Sequence, residues 1–156
     1  MKLYHGSTVD IQRIDLAKSK PNKDFGRAFY LSVDEQQAME MAQFRAEFED
    51  ATPVVNVFEF DEKLFQEFRY KRFEDYTEEW AHFVYNHRTE PQGRTLHDYD
   101  IVYGPIANDR IGAQITRFKQ GYITFDEFLS RIQYMKGITF QYAFCTQRAI
   151  DKLFKK

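Results

Sequence analysis

Leu3-Tyr4-His5-Gly6-Ser7 and Asp24-Phe25-Gly26-Arg27-Ala28-Phe29-Tyr30-Leu31-Ser32 are the two stretches around which the rest of this chain is organised. In the first, the alternation of Lys2, Leu3, Tyr4 and His5 suits a half-buried strand. Gly6 lets the backbone turn, or approach a ligand closely, at the strand end. His5 is thus expected at a strand terminus beside open backbone. In the second stretch, Phe25-Gly26 marks a turn. The strand that follows puts Ala28, Tyr30 and Ser32 on one face and Phe29 and Leu31 on the other. Tyr30 is then the one large ring on a face of small residues, suited to lining a cleft and stacking on a flat ligand. Taken singly, His5 reads as a satisfied strand-end histidine and Tyr30 as half-buried packing.

Working outward, the segment from Ser7 to Asn22 is mixed, with a turn of helix expected around Val9 to Ile14. Pro21-Asn22-Lys23-Asp24 is a loop by its turn chemistry and can fold over a ligand held between the two motifs. After Ser32 the period becomes helical. Ser32-Val33-Asp34-Glu35 matches a capping box, and Ala38, Met41, Ala42, Arg45 and Phe48 follow at helical spacing. The helix N-terminus near Tyr30 would present unpaired N–H groups, useful to a phosphate and equally common without one.

Pro53 closes that helix, and Val54 to Phe60 reads as a strand by its β-branched content. Asp61 is expected to cap a helix running through Leu64, Phe65 and Phe68. The run Phe65 to Phe73 interleaves rings with Arg69, Lys71 and Arg72, the mixture that grips a nucleic-acid strand by stacking and charge. Its flanking acids Glu62, Glu67, Glu74 and Asp75 favour a solvated helix face instead. Thr77 begins a helix carrying Trp80, Phe83 and Val84, and Pro91-Gln92-Gly93 is a loop. Asp100 to Pro105 is a short buried strand stopped by Gly104 and Pro105. A helix with Ile111, Ile115 and Phe118 inward is broken by Gly121, and Thr124 to Tyr134 is another, with a capping pattern of Thr124 and Glu127. In the last strand Thr139, Gln141, Ala143 and Cys145 share one face and Phe140, Tyr142 and Phe144 the other, leaving Gln141 polar on a small-residue face. Thr146 caps a closing helix with Ala149, Ile150 and Leu153.

At 156 residues, without repeat or linker, the chain is expected to form one domain, residues 1–156. Lys and Arg number 22 against 24 Asp and Glu, so the net charge of -2 leaves no global footprint for nucleic acid. Cys145 is the only cysteine, which excludes an intrachain disulfide and a four-cysteine zinc site. His82 and His87 are five apart rather than at the i and i+4 spacing of a metal pair, so no metal is expected. Without a signal-peptide core or a membrane-length apolar run, the expectation is a soluble cytoplasmic protein. Its 16 Phe, 10 Tyr and one Trp are mostly core, with a minority left for a ligand or partner.

The order of these motifs resembles the histidine-tyrosine type of the ADP-ribosyltransferase superfamily. It consists of His-Gly in the first strand, Tyr in a Phe-Tyr-Leu-Ser strand entering a helix, and a polar residue in a late strand. More narrowly, the two opening stretches, Asp100-Ile101-Val102-Tyr103-Gly104-Pro105-Ile106-Ala107-Asn108-Asp109 and Gln141-Tyr142-Ala143-Phe144-Cys145-Thr146 look like a little-characterised bacterial branch of it. The resemblance implies an α+β fold with a split antiparallel sheet clasping NAD, which is the substrate. It implies that the His5 side chain bonds a ribose hydroxyl, the Gly6 backbone holds the carboxamide, Tyr30 stacks on the nicotinamide and Gln141 binds the ribose bearing it. Ser7, Phe25, Gly26 and Phe29 would complete the binding motifs. The activity implied is mono-ADP-ribosyl transfer to a protein or nucleic-acid acceptor. Small domains of this kind often act as toxins, effectors or defence proteins, which implies an antitoxin partner.

The departure is at Gln141, where the superfamily pattern has Glu. An amide accepts a hydrogen bond from a ribose hydroxyl, yet offers no carboxylate to a developing cation and no general base at neutral pH. Asp109 and Glu127 are the acids considered as substitutes, with helix capping as their ordinary role. Two readings stand: a transferase that positions through Gln141, or a weakly catalytic or inactive nucleotide-binding module in the same cleft.

Overall fold

The strands form where the sequence alternates, and the longest helix where Ala38, Ala42 and Ala46 recur every fourth position. The structure, a computed structural model, describes residues 1–133 and 137–156. In order these are β1 (Lys2–Ser7), β2 (Phe29–Ser32), α1 (Glu35–Glu49), β3 (Val54–Glu59), β4 (Tyr70–Arg72), α2 (Glu78–Thr89), β5 (Ile101–Pro105), α3 (Ile111–Lys119), α4 (Phe125–Arg131), β6 (Phe140–Phe144), α5 (Gln147–Ile150) and β7 (Phe154–Lys155). The fold is α+β. One seven-stranded sheet runs β4-β5-β6-β2-β1-β3-β7.

The sheet is mixed rather than antiparallel throughout, because β4 lies parallel to β5 while every other pairing is antiparallel. It is continuous, but its two arms meet at a narrow seam. β1 pairs with β3 along its whole length and β2 with β6 along its own, whereas β1 and β2 share the single registered pair Tyr4–Ser32. An unpaired stretch between two strands leaves backbone groups and a gap for something to enter.

Helices α1 to α4 cover one face. Trp80, Ala81 and Val84 of α2, Ile111 and Ile115 of α3 and Phe128 of α4 pack with Val102 and Ala143 of the sheet. The indole N–H of the fully buried Trp80 donates to Pro105 O at 3.2 Å, which satisfies the one polar atom of that ring. On the opposite face Leu3, Phe29, Leu31, Phe58, Tyr142 and Phe144 join Phe60, Phe68 and Ala149. The rings are thus mainly core, as composition predicts.

α1 approaches β1 closely through Ala38, Ala42 and Ala46, its three buried residues. A Cβ on Gly6 would sit 2.1 Å from Ala38 O and 2.8 Å from Ala42 N. Gly6 therefore spends its missing side chain on helix packing.

Several local expectations are corrected. Residues 9–14 form no helix; a 3-10 turn at Leu16–Lys18, capped by Asp15, stands there instead. The cap of α1 is Asp34, which accepts from Gln36 N at 2.9 Å, while Ser32 Oγ accepts from Asp34 N, so Ser32 and Glu35 make no capping box. Phe48 is exposed rather than inward. Glu62–Glu67 is a 3-10 helix, and β4 follows where a continuing helix face is read from sequence. β4 escapes the pattern because it is short and is recruited by β5. The Thr124–Glu127 capping box is present. The predicted end of α4 at Tyr134 lies outside the described residues. The closing helix is one turn, and the chain then returns as β7 beside β3. No helix among the described residues is long and apolar enough to cross a membrane.

Candidate functional site

A cleft follows the seam between β1 and β2 on the helical face, walled by α1. Gly6, Tyr30 and Gln141 line it from the sheet and Gln37, Met41 and Arg45 from the helix. Register explains the grouping. Ser32 pairs with both Tyr4 and Gln141, and Tyr30 pairs with Ala143, so Tyr30 and Gln141 share a face floored by small residues. Alternation places each on the small-residue face of its own strand, and the pairing of β2 with β6 joins the two faces.

Tyr30 is held at both ends. Its hydroxyl donates to Gly26 O at 2.7 Å and accepts from Phe25 N at 2.9 Å, so the Phe25-Gly26 turn grips the phenol. Gly26 makes this turn at φ +90°, a conformation strained for any side chain. Burial, with the Asp24 charge nearby, pushes the Tyr30 hydroxyl well above its ordinary range, so it stays protonated. The ring is a fixed platform, not an acid or base.

His5 lies across the seam. Its Nδ1 is 2.7 Å from Tyr30 O, and a carbonyl only accepts, so Nδ1 carries the proton and Nε2 the lone pair. Burial lowers its pKa to about 4, so the ring is neutral near pH 7. Its partner in register is Asn56, and the ring stacks on Phe29 at 4.4 Å, which puts it on the sheet face opposite Tyr30. A hydroxyl reaching Nε2 must therefore come through the seam itself.

Gln141 is buried and its Nε2 donates to Asp24 Oδ2 at 3.2 Å. Asp24 Oδ1 in turn accepts from Arg88 Nε at 2.8 Å and Nη2 at 2.5 Å. Carboxylate and guanidinium neutralise one another, and the amide nitrogen is fixed toward Asp24. With its nitrogen fixed toward Asp24, the amide keeps its oxygen as the acceptor it can offer a ligand. Sequence reasoning missed this arrangement. Asp24 stands in the quoted motif, but nothing in the spacing couples it to Arg88, 64 residues on.

The remaining expected residues stand behind the cleft. The buried Ser7 has its Oγ accepting from Val9 N at 3.2 Å. Phe25 and Phe29 are core rings, the first against Phe73 and Phe83, the second against Phe58. Gly26 acts through the carbonyl that holds Tyr30. Asp109 is exposed before α3 and caps nothing, and Glu127 accepts from Thr124 N in its capping box and pairs with Arg131 at 3.6 Å. Neither acid lines the cleft. In the run Phe65 to Phe73 each cation has an acid: Arg69–Asp98, Lys71–Glu79 and Arg72–Glu74, each at 2.6 Å. Phe65 stacks on Tyr70 and Tyr142, while Phe68 and Phe73 are buried. Paired charges and packed rings leave that run little to offer a phosphate backbone.

Positive charge stands at and near the cleft. Arg45 is exposed on its wall, and the half-buried Lys23 lies in the loop beside Asp24. Burial first, then Arg88 and Arg45, lower the Lys23 pKa, which places these cations within one another's field. The cleft itself encloses about 80 Å³. Ligand pockets are typically some ~300–1,000 Å³, so a dinucleotide must lie largely along its mouth or widen the seam.

Histidine burial makes stability pH-dependent. His87 and His97 are also held neutral, mainly by burial; His87 Nε2 accepts from Leu96 N and His97 Nδ1 from Tyr99 N. The folded state thus binds fewer protons than the unfolded chain, whose histidines titrate near ~6.5. The stabilisation is fully present above that value and is lost as pH falls toward 4, by at most about 1.4 kcal/mol per pH unit for each histidine. Urea unfolding at pH 7 and pH 5 is expected to show a clear drop at pH 5. Equal stabilities would contradict the neutral assignment.

Among the described residues no group of three or more His, Cys, Asp or Glu is placed to hold a metal. No curated protein and no solved structure matches the chain. A sequence model of the family described as "Protein of unknown function (DUF3990)" matches residues 1–154, so the chain belongs to the DUF3990 family.

Proposed function

We propose that this protein binds NAD at the β1/β2 seam and transfers ADP-ribose to a macromolecular acceptor. The observation that carries the reading is the coupling of the two opening motifs: His5 Nδ1 meets Tyr30 O at 2.7 Å, while the Tyr30 ring shares its face with the oriented amide of Gln141. Nicotinamide stacks on Tyr30, its carboxamide meets the Gly6 backbone, and Gln141 accepts from the adjoining ribose. Arg45 and Lys23 take the diphosphate, the ligand group that matches two cations at the cleft edge.

In the reaction the bond from ribose C1′ to the pyridinium nitrogen breaks and nicotinamide leaves with the electron pair. The acceptor nucleophile bonds to C1′ and gives up its proton. The pyridinium leaves as a neutral molecule, so departure needs no acid. The protein's task is to orient the ribose and keep water from the cationic transition state. The acceptor must bring a nucleophile that ionises readily, because the cleft holds an amide where a carboxylate would serve as base.

The test is nicotinamide release from NAD by the purified protein with cell lysate as acceptor. Release with label transfer is expected from wild type and lost in Tyr30→Ala. Removing the stacked ring is expected to weaken NAD binding by about 1–3 kcal/mol, by analogy with base stacking. Unchanged affinity in Tyr30→Ala would remove the platform from the argument. The small volume and the amide at 141 favour a second reading, a nucleotide-binding module of little activity. It expects NAD binding without release, and release appearing in Gln141→Glu.

A further inference from the structure

The outer face of α1 carries apolar side chains that the fold does not use. Met41, Phe44 and Phe48 are 44%, 61% and 83% exposed, and the two Phe rings touch at 5.8 Å between centroids. At helical spacing Gln37, Met41, Phe44 and Phe48 form one line, opposite the alanines that pack on the sheet. Each exposed ring keeps apolar surface in water at roughly 25 cal/mol per Å². Their mutual i,i+4 contact gives a helix already anchored by Ala38, Ala42 and Ala46 only a small added stabilisation.

Two observations say what covers this line. First, it runs into the cleft: Gln37 and Met41 belong to both, so a chain lying on Phe44 and Phe48 is led to Tyr30. Second, α1 has four Glu against one Arg. Helical geometry puts Glu40 and Glu47 along the edge of the line away from the cleft and Arg45 on the cleft side. An acidic edge repels a phosphate backbone and attracts lysine and arginine.

We propose that α1 docks a basic amphipathic segment of a protein acceptor, with apolar residues on Met41, Phe44 and Phe48 and its cations against Glu47. This rests on the cleft being the transfer site, and it narrows the acceptor to protein. The full chain is tested with a synthetic amphipathic helix of leucine and lysine, labelled for anisotropy, and with a leucine–glutamate counterpart. The variants are Phe44→Ser/Phe48→Ser and Glu47→Lys, whose fold is checked by circular dichroism. Binding of the basic peptide to wild type, weakened about tenfold or more in both variants, is expected, with no binding of the acidic peptide. Nicotinamide release to a small thiol acceptor, which needs no docking face, is measured in parallel and expected unchanged in both.

Failure of the peptide to bind wild type, equal binding to the variants, or equal binding of the acidic peptide overturns the docking surface, whatever the release assay gives. A concentration-dependent dimer dissolved by Phe44→Ser/Phe48→Ser assigns the face to a second copy and also overturns it. Peptide binding as expected, with no nicotinamide release from wild type, removes the transfer reading and leaves a peptide-docking face.

Discussion

Gly6→Ala is expected to lower folding stability by about 3 kcal/mol, the upper part of the range for forcing an extra carbon into packed structure. The added Cβ would stand 2.1 Å from a backbone oxygen and 2.8 Å from a backbone nitrogen of α1, and neither can rotate away as a side-chain tip can. The helix must lift off β1, taking Gln37, Met41 and Arg45 away from the seam. A fall in melting temperature of about 10 °C follows for a domain of this size. Gly112→Ala on α3 is the control, since a Cβ there meets nothing within 4 Å. That change is expected to be neutral or to stabilise by about 0.5–1 kcal/mol, because alanine is the better helix former. Scanning calorimetry of the two variants decides it. A Gly6→Ala protein melting within a degree or two of wild type would show that α1 does not press on β1.

Asp24→Ala is expected to cost about 3 kcal/mol and to abolish nicotinamide release in whatever fraction still folds. Asp24 is 7% exposed and accepts from both Arg88 and Gln141. Removing it leaves a guanidinium and an amide without partners, and breaking a buried ion pair costs ~3–5 kcal/mol because the surviving charge is uncompensated. The Arg88 side chain retains 29% exposure, so water relieves part of this and the lower end applies. Asp24→Asn keeps the shape and one acceptor oxygen and is expected to lose less. The double variant Asp24→Ala/Arg88→Met is expected to be more stable than Asp24→Ala, because it removes the orphaned cation. Urea unfolding of the series measures the coupling. Additive effects, or an Asp24→Ala protein within 1 kcal/mol of wild type, would mean that the pair acts only as an exposed ion pair does.

The site was legible in sequence to unequal depth. Alternation put Tyr30 and Gln141 each on the small-residue face of its own strand, since a period of two needs no knowledge of neighbours, and the pairing of β2 with β6 made those faces one. Alternation equally implies that His5 and Gly6 face opposite ways, while the expected contacts gave His5 a ribose hydroxyl and the Gly6 backbone the carboxamide of one ligand. The structure separates them, with Gly6 under α1 and His5 stacked on Phe29. The aromatic-basic run from Phe65 misled because side-chain chemistry was visible and partners were not. Asp98 and Glu79, which engage its cations, lie outside the run.

By itself, the sequence determined the elements whose signals are local. These are the strands at Lys2–Ser7 and Phe29–Ser32, the long helix with its alanine spacing, the Thr124 capping box and the aromatic core. Each follows from periodicity or from a hydrogen bond between residues a few positions apart. Only the tertiary structure decided the rest. It recruited Tyr70–Arg72 as a strand beside β5, brought Asp24, Arg88 and Gln141 together, and left β1 and β2 joined at one registered pair. Those arrangements join residues from 28 positions apart, Tyr4 and Ser32, to 117 apart, Asp24 and Gln141, and chain closure over such distances is set by which faces are buried together, not by any spacing along the chain.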